Sequence, residues 1–435
     1  MRRFGLMAGA GVLALGWALG LAPAAQAGGF YLQEQGVRAT GRAYSGEAAD
    51  TGVESLWWNP ASIAGSGTEV YAGVNGVLVN GTVSDLGSTI TRPIVPGGLT
   101  LPVGGDPRIS HPIQDGVAPN LAGAYSFGDR FAVGVSLAGP YNFTTAYPWN
   151  SFTRYDALKS RLFTADGQFT LAMKATSWLD LGVAADVEYT DAKLTNALPN
   201  LSPLAPDGAQ SLTGNGWNWG WAVGARAHQG AWSFGASYRS AISHDLHGTV
   251  SAQGLLGPLA GSNFSAPGRA HFTTPWIATF GVRYHATDRL TFDAQLQHFG
   301  WSEFGAITVT TAAGAQSIPQ GYRDTTSGGA GLDYAVSPTL TLRTGFQYDP
   351  TPVPQSGPDA RVPDSNRWIL AAGASAKLNR RMTLDAAFAY INFQPSTINR
   401  MNDFYVGTPA ATSVNTIGGV TGAGYVLSLG FRAAL

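Results

Sequence analysis

The stretch Leu181–Thr190, with the sequence LGVAADVEYT, alternates two kinds of side chain. Its odd-numbered positions carry Leu, Val, Ala, Val and Tyr, and its even-numbered positions carry Gly, Ala, Asp, Glu and Thr. Successive side chains of a β-strand point to opposite faces, so one face of this strand would be apolar and the other polar. The stretch therefore predicts a strand with one face suited to hydrocarbon and the other to water.

The same alternation recurs in many segments from residue 67 to the end of the chain. Clear examples are Leu290–Gln297, Leu340–Tyr348 and Tyr425–Leu435. Their lengths are close to the roughly ten residues with which a tilted strand crosses a bilayer. The chain is therefore predicted to be an all-β protein with membrane-crossing strands.

Short turns and long stretches rich in Pro and Gly alternate between these segments. The short turns are predicted at residues 128–130, 177–180, 228–231, 286–289, 337–339 and 379–381. The long stretches are residues 83–115, 141–166, 197–215, 251–268, 311–322, 351–366 and 395–421. Transmembrane barrels have short turns on one side and long loops on the other. A soluble β-sandwich, which is the alternative, would not need this alternation.

Six short turns and seven long loops make thirteen connections, and hence fourteen strands. The predicted strands are residues 67–82, 116–127, 130–140, 167–176, 181–194, 216–227, 232–249, 270–285, 290–309, 323–336, 340–349, 367–378, 382–394 and 423–435. The even number places both chain ends on the periplasmic side. Residues 67–435 are therefore predicted to form a fourteen-stranded antiparallel transmembrane β-barrel.

The composition agrees with a surface that faces lipid. Charged residues make up 12% of the chain, whereas soluble domains usually carry about a quarter. The 26 basic and 27 acidic residues are nearly balanced, which offers no basic surface for nucleic acid. The chain has no cysteine, so it has neither disulfides nor thiolate metal sites.

The first residues have the pattern of a secretory signal peptide. Met1-Arg2-Arg3 is followed by an apolar stretch and by Ala25-Gln26-Ala27, a typical cleavage site. Residues 1–27 are therefore predicted to be removed, so that the mature chain begins at Gly28. No run of 18 apolar residues follows, so no helix of the mature chain is expected to span a bilayer.

Residues 28–66 do not alternate, and they are rich in Gly, Ala and Ser. A barrel of fourteen strands encloses more space than its own side chains can fill. We therefore expect this segment to be a hatch inside the lumen. Charged residues at inward-facing strand positions are expected to form a solvated interior in which they pair with one another and hold the hatch; they are Asp186, Glu188, Arg226, Arg239, Arg283, Asp293, Asp333, Arg343, Asp385 and Arg432.

Several fragments, spread over the mature chain, together resemble one known family. They include GGFYLQEQG at Gly28–Gly36, GRAYSG at Gly41–Gly46, the triplet Asn59, Pro60 and Ala61, RTGFQYDPTPVP at Arg343–Pro354 and PDSNR at Pro363–Arg367. In this order they are similar to the FadL/TodX family of outer-membrane transporters of long-chain fatty acids and hydrocarbons. The resemblance implies a fourteen-stranded barrel with an N-terminal hatch.

The resemblance also implies a route for a hydrophobic ligand. Extracellular loops would capture it, a lumen site near the N-terminus would hold it, and it would leave sideways through a gap beside a kinked third strand, residues 130–140. The triplet Asn59-Pro60-Ala61 would be the hatch motif that faces this strand. Because Pro60 restricts Asn59, the triplet makes a stiff turn with a free side-chain amide.

Two sets of candidate ligand-binding residues follow. The candidate lumen site consists of Gly28, Gly29, Phe30, Asn196 and Ile318. Asn196 and Ile318 occupy positions at which the resemblance implies basic anchors for a head group, so fatty acids and uncharged hydrocarbons both remain open.

The candidate capture site is an aromatic-rich loop stretch that we expect on the outer surface. It consists of Tyr141, Phe143, Tyr147, Trp149 and Phe152. Exposed apolar patches often mark binding surfaces. The alternative is that these rings pack only against neighbouring loops or lipid A.

Catalysis finds little support in the sequence, which has no phosphate-binding loop, nucleophile elbow or HExxH motif. We therefore expect a passive channel with no cofactor and no metal, and we expect it to act as a monomer. Its expected partners are a hydrophobic ligand (a fatty acid, a hydrocarbon or a detergent), outer-membrane lipid and lipopolysaccharide. The alternatives are a general diffusion porin with an open conduit and an outer-membrane enzyme that modifies lipid.

Overall fold

Fourteen antiparallel strands close into a barrel in the computed structural model, which describes residues 28–354 and 358–435. Each strand pairs with the next along the chain. The last strand then pairs with the first, from Glu69↔Ala434 to Asp85↔Gly418. The first and last residues of the barrel-forming part of the chain therefore lie on the same side of the membrane. The predicted fold class is thus confirmed, and the predicted signal peptide lies outside the described residues.

Five strands of the wall are interrupted, and each of these keeps a single label. The strands are β1 Glu69–Asp85, β2 Gly116–Phe127, β3 Phe131–Ala138 with Phe143–Ala146, β4 Lys159–Lys174, β5 Leu179–Leu198, β6 Gly208–Gln229, β7 Trp232–Arg239 with Ile242–Gln253, β8 Phe264–Thr274 with Ile277–His285, β9 Leu290–Phe299 with Ala306–Thr311, β10 Gly314–Pro319 with Thr325–Ala335, β11 Leu340–Asp349, β12 Arg367–Lys377, β13 Met382–Phe404 and β14 Thr412–Ala434. Short strands in the first outer loop are Thr89–Arg92, Leu99–Pro102 and Arg108–Ser110. The helix α1 is Val37–Gly41, and 3₁₀ turns lie at Glu47–Ala49, Val53–Ser55, Pro60–Ile63, Gly257–Ser262 and Trp301–Glu303.

The outer ends of several strands extend further than the sequence predicts. Strand β13 continues to Phe404 and β14 begins at Thr412, so the predicted loop 395–421 shrinks to residues 405–411. The predicted loops 197–215 and 311–322 shrink in the same way. Beyond the bilayer both faces of a strand meet water or other loops, so the apolar alternation stops although the backbone pairing continues.

The two faces of the wall differ as the alternation predicts. Phe169, Leu171 and Val183 point outward and are 59%, 61% and 52% exposed, whereas Asp186 and Glu188 point inward and are fully buried. None of the helices in the described part of the chain is long and apolar enough to cross a membrane.

Residues 28–66, which we call the N-terminal segment, lie inside the barrel and are almost entirely buried. Glycines of the wall let its backbone approach closely. A Cβ atom on Gly345 would collide with the carbonyl of Arg42, and one on Gly235 would collide with the carbonyl of Ala48. The high glycine content therefore serves close packing between the wall and the N-terminal segment.

Buried charges also tie the N-terminal segment to the wall. The guanidinium of Arg42 contacts Glu47 and Asp50 within the segment, and it lies 3.2 Å from Asp333 and 3.7 Å from Asp293 on the wall. Burial of so many charges is tolerated because they pair with one another. The predicted pairing of inward charges is confirmed for this cluster, although it is buried rather than solvated.

Candidate functional site

The wall contains a gap in its hydrogen-bonded ladder beside strand β3. Strand β3 breaks at residues 139–142, and β2 pairs with it only between Leu121↔Leu137 and Phe127↔Phe131. Within the described residues, positions 116–120 of β2 therefore have no partner on β3. Pro119 lies in this stretch, and proline suits a position that needs no N–H donor in a ladder. We call the space between residues 116–120 and 139–142 the ladder gap.

The N-terminal segment lies across the ladder gap from inside. The backbone N–H of Leu32 donates to the carbonyl of Pro140 at 2.7 Å, and Gln35 Nε2 donates to the carbonyl of Gly139 at 3.3 Å. On the other edge, Asn120 Nδ2 donates to Gln35 Oε1 at 3.2 Å. The N-terminal segment thus forms hydrogen bonds with both edges of the ladder gap, and it closes the gap from inside.

Asn59 and Pro60 pack against β5 and β6 rather than strand β3, so the expectation is wrong for these two residues; the turn Pro60–Ile63 reaches β3 through Ile63, at Gly134. Asn59 Nδ2 donates to the carbonyl of Ala225 on β6 at 3.0 Å. Pro60 packs against Gly182 of β5, where a Cβ would collide with its backbone. Gly182 on β5 and Gly224 on β6 make room for the triplet. The sequence of three residues does not contain information on which strand they contact in the folded barrel.

A cavity of about 520 Å³ lies among the outer parts of strands β3 to β10 and β13. Phe30 is the only residue of the N-terminal segment, as far as it is described, that lines it. The Phe30 ring packs edge-on against Trp301 and Phe304, with ring centroids 4.9 and 5.0 Å apart. Apolar side chains that line the cavity include Phe143, Leu162, Leu194, Leu212, Leu246, Phe272, Phe304 and Ile318. The cavity can therefore hold a hydrophobic molecule.

The structure brings together three of the five residues predicted for the lumen site. Phe30, Asn196 and Ile318 all line the cavity, although they are far apart in the sequence. Gly28 and Gly29 do not line it. Instead, the N–H of Gly29 donates to Asp364 Oδ2 at 2.8 Å.

The predicted capture site is not an exposed patch, so that expectation is wrong. Tyr141, Phe143, Tyr147 and Phe152 are all buried, and only Trp149 is exposed. Tyr147 donates its O–H to the carbonyl of Ala360 at 2.8 Å, because the loop between β11 and β12 folds over it. Phe143 is instead part of the cavity lining.

Arg361 is the functional candidate that the sequence did not reveal. It lines the cavity, and its Nη2 donates to Asn196 Oδ1 at 3.2 Å across a separation of 165 positions. Its Nη1 donates to Ser160 Oγ at 3.4 Å. Within the described residues no carboxylate lies within 4.0 Å of this guanidinium. A positive charge therefore stands beside Asn196, supplied by a distant loop.

Asp156, in the loop before β4, is a buried acidic group in the cavity lining. Its Oδ2 accepts the N–H of Ala360 at 2.6 Å. Burial, with a further contribution from the charge of Asp359, raises the pKa of Asp156 to about 6 from its ordinary 3.8. The folded loop therefore holds a proton that the unfolded chain would lose, between about pH 4 and pH 6.

This shift predicts that the loop over the cavity is more stable at low pH. Because the folded pKa is raised, stability is present below about pH 4 and is lost as pH rises through about 6, by roughly 1–3 kcal/mol. The opening free energy of residues 358–364, measured by hydrogen exchange with intrinsic rates corrected for pH, should fall over this range. The variant Asp156→Asn should remove the fall; equal opening free energies at pH 4 and pH 7 in the unmodified protein would contradict the assignment.

Among residues 28–354 and 358–435, no three His, Asp or Glu side chains are arranged to hold a metal ion. His244, one of the dispersed histidines, is buried, and its ring nitrogens lie within hydrogen-bonding distance of Thr190 and Thr274. Its neighbours are thus those of a structural histidine.

Three comparisons bear on this arrangement. The sequence model described as "Outer membrane protein transport protein (OMPP1/FadL/TodX)" matches residues 18–434. A long-chain fatty acid transport protein of Salmonella typhi is 24% identical over 405 residues, covering 85% of this chain and 89% of that protein.

Among solved structures, a Pseudomonas aeruginosa FadL homologue superposes with a TM-score of 0.80 at 20% identity, covering 93% of this chain and 99% of that one. The toluene transporter TodX of Pseudomonas putida superposes with a TM-score of 0.63 at 17% identity, covering 92% and 98%. These likenesses agree with the closed barrel described above.

Proposed function

Because the chain belongs to the outer membrane protein transport protein family (OMPP1/FadL/TodX), we propose that it passively carries long-chain fatty acids or related hydrocarbons across the outer membrane. One observation carries this proposal. A cavity of about 520 Å³ meets the N-terminal segment at Phe30, and the next residues of that segment cover a gap in the wall. The ligand would pass from the cavity to the gap and leave sideways into the membrane.

The first residues of the N-terminal segment are the part that would have to move. Phe30 lines the cavity, and Tyr31 forms a bridge with Tyr141 at the ladder gap. Residues 37–64 are held by the buried ion pairs of Arg42 and by backbone contacts with wall glycines, whereas no side chain of residues 28–36 forms an ion pair with the described part of the chain. We therefore propose that residues 28–36 of the hatch move while the remainder stays docked.

Arg361 supports a carboxylate as the ligand's head group. Its guanidinium hydrogen-bonds only to neutral groups among the described residues. The charge of Arg361 opposes the rise in the pKa of Asp156, but that carboxylate lies beyond 4.0 Å, so the guanidinium can still donate to an anion. Guanidinium groups bind carboxylates well, because two N–H groups can donate to the two oxygens. We propose that Arg361 provides the anchor that neither Asn196 nor Ile318 can provide.

The variant Arg361→Gln should weaken the binding of a long-chain fatty acid by about 10- to 100-fold, since a hydrogen bond to a charged group contributes about 1.5–3 kcal/mol. The methyl ester of the same acid should bind nearly as before, because it carries no charge. Calorimetric titration of both ligands measures the difference. Arg108→Gln is the matched control, because it removes one exposed positive charge from an outer loop away from the cavity. If the affinities for the acid and the ester fell by the same factor, Arg361 would not be the anchor of the head group.

Two other functions are less well supported. A general diffusion porin needs an open conduit, whereas the N-terminal segment fills this lumen. A lipid-modifying enzyme predicts turnover of lipid by the purified barrel, and we expect none. We further propose that the protein acts as a monomer and that its apolar outer face contacts membrane lipid and lipopolysaccharide.

A further inference from the structure

A buried ionic site on the inner wall holds more acidic than basic groups. Arg367 Nη2 donates to Asp349 Oδ2 at 2.6 Å, and its Nη1 donates to Asp364 Oδ1 at 3.1 Å. The three residues are between 0% and 3% exposed. Two carboxylates thus share one guanidinium away from water. Burial raises the pKa of Asp364 even though Arg367 opposes this, as expected where positive charge is lacking.

Gly28 lies beside this site. A Cβ atom on Gly28 would lie 3.0 Å from Arg367 Nη2 and 3.2 and 3.3 Å from the two carboxylate oxygens of Asp349, so Gly28 is within reach of both the guanidinium and the carboxylate that it pairs with. The next residue, Gly29, donates its N–H to Asp364 Oδ2 at 2.8 Å. Gln33 donates from Nε2 to Asp349 at 3.0 Å, yet its Oε1 is buried without a donor among the described residues. An additional donor with a positive charge would satisfy this acceptor and balance the aspartates.

We propose that the α-ammonium group of Gly28, created when residues 1–27 are removed, is the missing cation of this site. The inference rests on the predicted cleavage after Ala27 and not on which ligand the protein carries. A signal peptidase hydrolyses the Ala27–Gly28 peptide bond, so the hydroxyl of water goes to the Ala27 carbonyl carbon and its proton to the Gly28 nitrogen. The resulting amine takes up a further proton at neutral pH. Before cleavage the same nitrogen is a neutral amide.

This site makes docking of the hatch depend on maturation. Gly29 and Phe30 follow Gly28 in the chain, and Phe30 is part of the cavity lining. The ionic site is therefore directly connected to the cavity. In the mature chain the ammonium group would hold this end of the hatch against β11 and β12. An uncleaved chain lacks that charge, so its Phe30 would close the cavity less firmly.

The ionisation of the Gly28 amine in the purified mature protein tests the proposal. Mass spectrometry should first identify Gly28 as the N-terminal residue. The rate at which an amine-directed acylating reagent modifies it is then measured as a function of pH. The pH midpoint reports the pKa of the amine, whereas simple shielding would lower only the plateau. We expect a midpoint at least one unit above the ordinary range of about 7.7–8.0, which is a roughly four- to sixfold lower rate at pH 8.

The variants Asp349→Asn and Asp364→Asn should each return the midpoint toward the ordinary range. Asp180→Asn is the matched control, because it removes a buried carboxylate that is paired with Arg226 on strands β5 and β6. Its midpoint should equal that of the unmodified protein. An ordinary midpoint in the unmodified protein, which needs no variant to fold, would overturn the proposal. So would a mature N-terminus at any residue other than Gly28.

Discussion

Oxidation of the double variant Tyr31→Cys/Tyr141→Cys should stop transport, and reduction should restore it. The two residues are antiparallel bridge partners, so their Cα atoms lie within the range that a disulfide can span. The chain has no other cysteine, so this pair is the only one that can form. The disulfide would fasten the N-terminal segment to the ladder gap and prevent lateral release. Uptake of a radiolabelled fatty acid by cells should fall to the level of cells without the protein.

The control for this experiment is Ser243→Cys/Thr273→Cys. These two positions are paired across β7 and β8, away from the N-terminal segment. Their disulfide should leave uptake unchanged. Because the reduced form of each variant is its own baseline, loss of the two tyrosine rings is accounted for. If the oxidised Tyr31–Tyr141 variant carried ligand as fast as its reduced form, the ligand would have to leave by another route.

The variant Arg42→Leu should undock the N-terminal segment and open the lumen to ions. Arg42 is fully buried and contacts four carboxylates: Glu47, Asp50, Asp293 and Asp333. Removing one partner of such a buried cluster costs about 3–5 kcal/mol, because uncompensated charges stay behind. In planar bilayers the unmodified protein should conduct little, whereas Arg42→Leu should show a steady current.

Two further variants provide reference currents for this experiment. Deletion of residues 28–66 sets the largest current that an empty lumen can carry. Arg226→Leu breaks a buried ion pair of the wall alone, with Asp180, and should stay closed. A large steady current through the unmodified protein would instead favour the general porin. A closed Arg42→Leu channel would show that this cluster does not keep the segment docked.

The sequence predicted the barrel well because its signals are local. The alternation within Leu181–Thr190 depends only on the geometry of one strand, and the inward position of Asp186 and Glu188 follows from it. The ends of the strands were less accessible to prediction. Where β13 and β14 leave the bilayer, the backbone pairing no longer requires an apolar face, so their outer halves looked like a loop.

The candidate site was predicted in part. Phe30, Asn196 and Ile318 do meet around one cavity, as the family resemblance implied. Asn59 faces β6 rather than β3, and the aromatic stretch 141–152 is mostly buried beneath a loop from the far side of the barrel. Both errors concern which distant segment a residue contacts, and neither pattern contains that information.

The number of strands, their faces and the presence of a segment that does not join the wall could therefore be predicted before folding was considered. They could be predicted because side-chain periodicity and composition are properties of neighbouring residues. The positions of Arg361 beside Asn196 and of Gly28 against Asp349 are visible only in the folded chain. Closing the barrel and folding the loops inward sets these distances, and such contacts between remote residues leave no periodic trace in the chain.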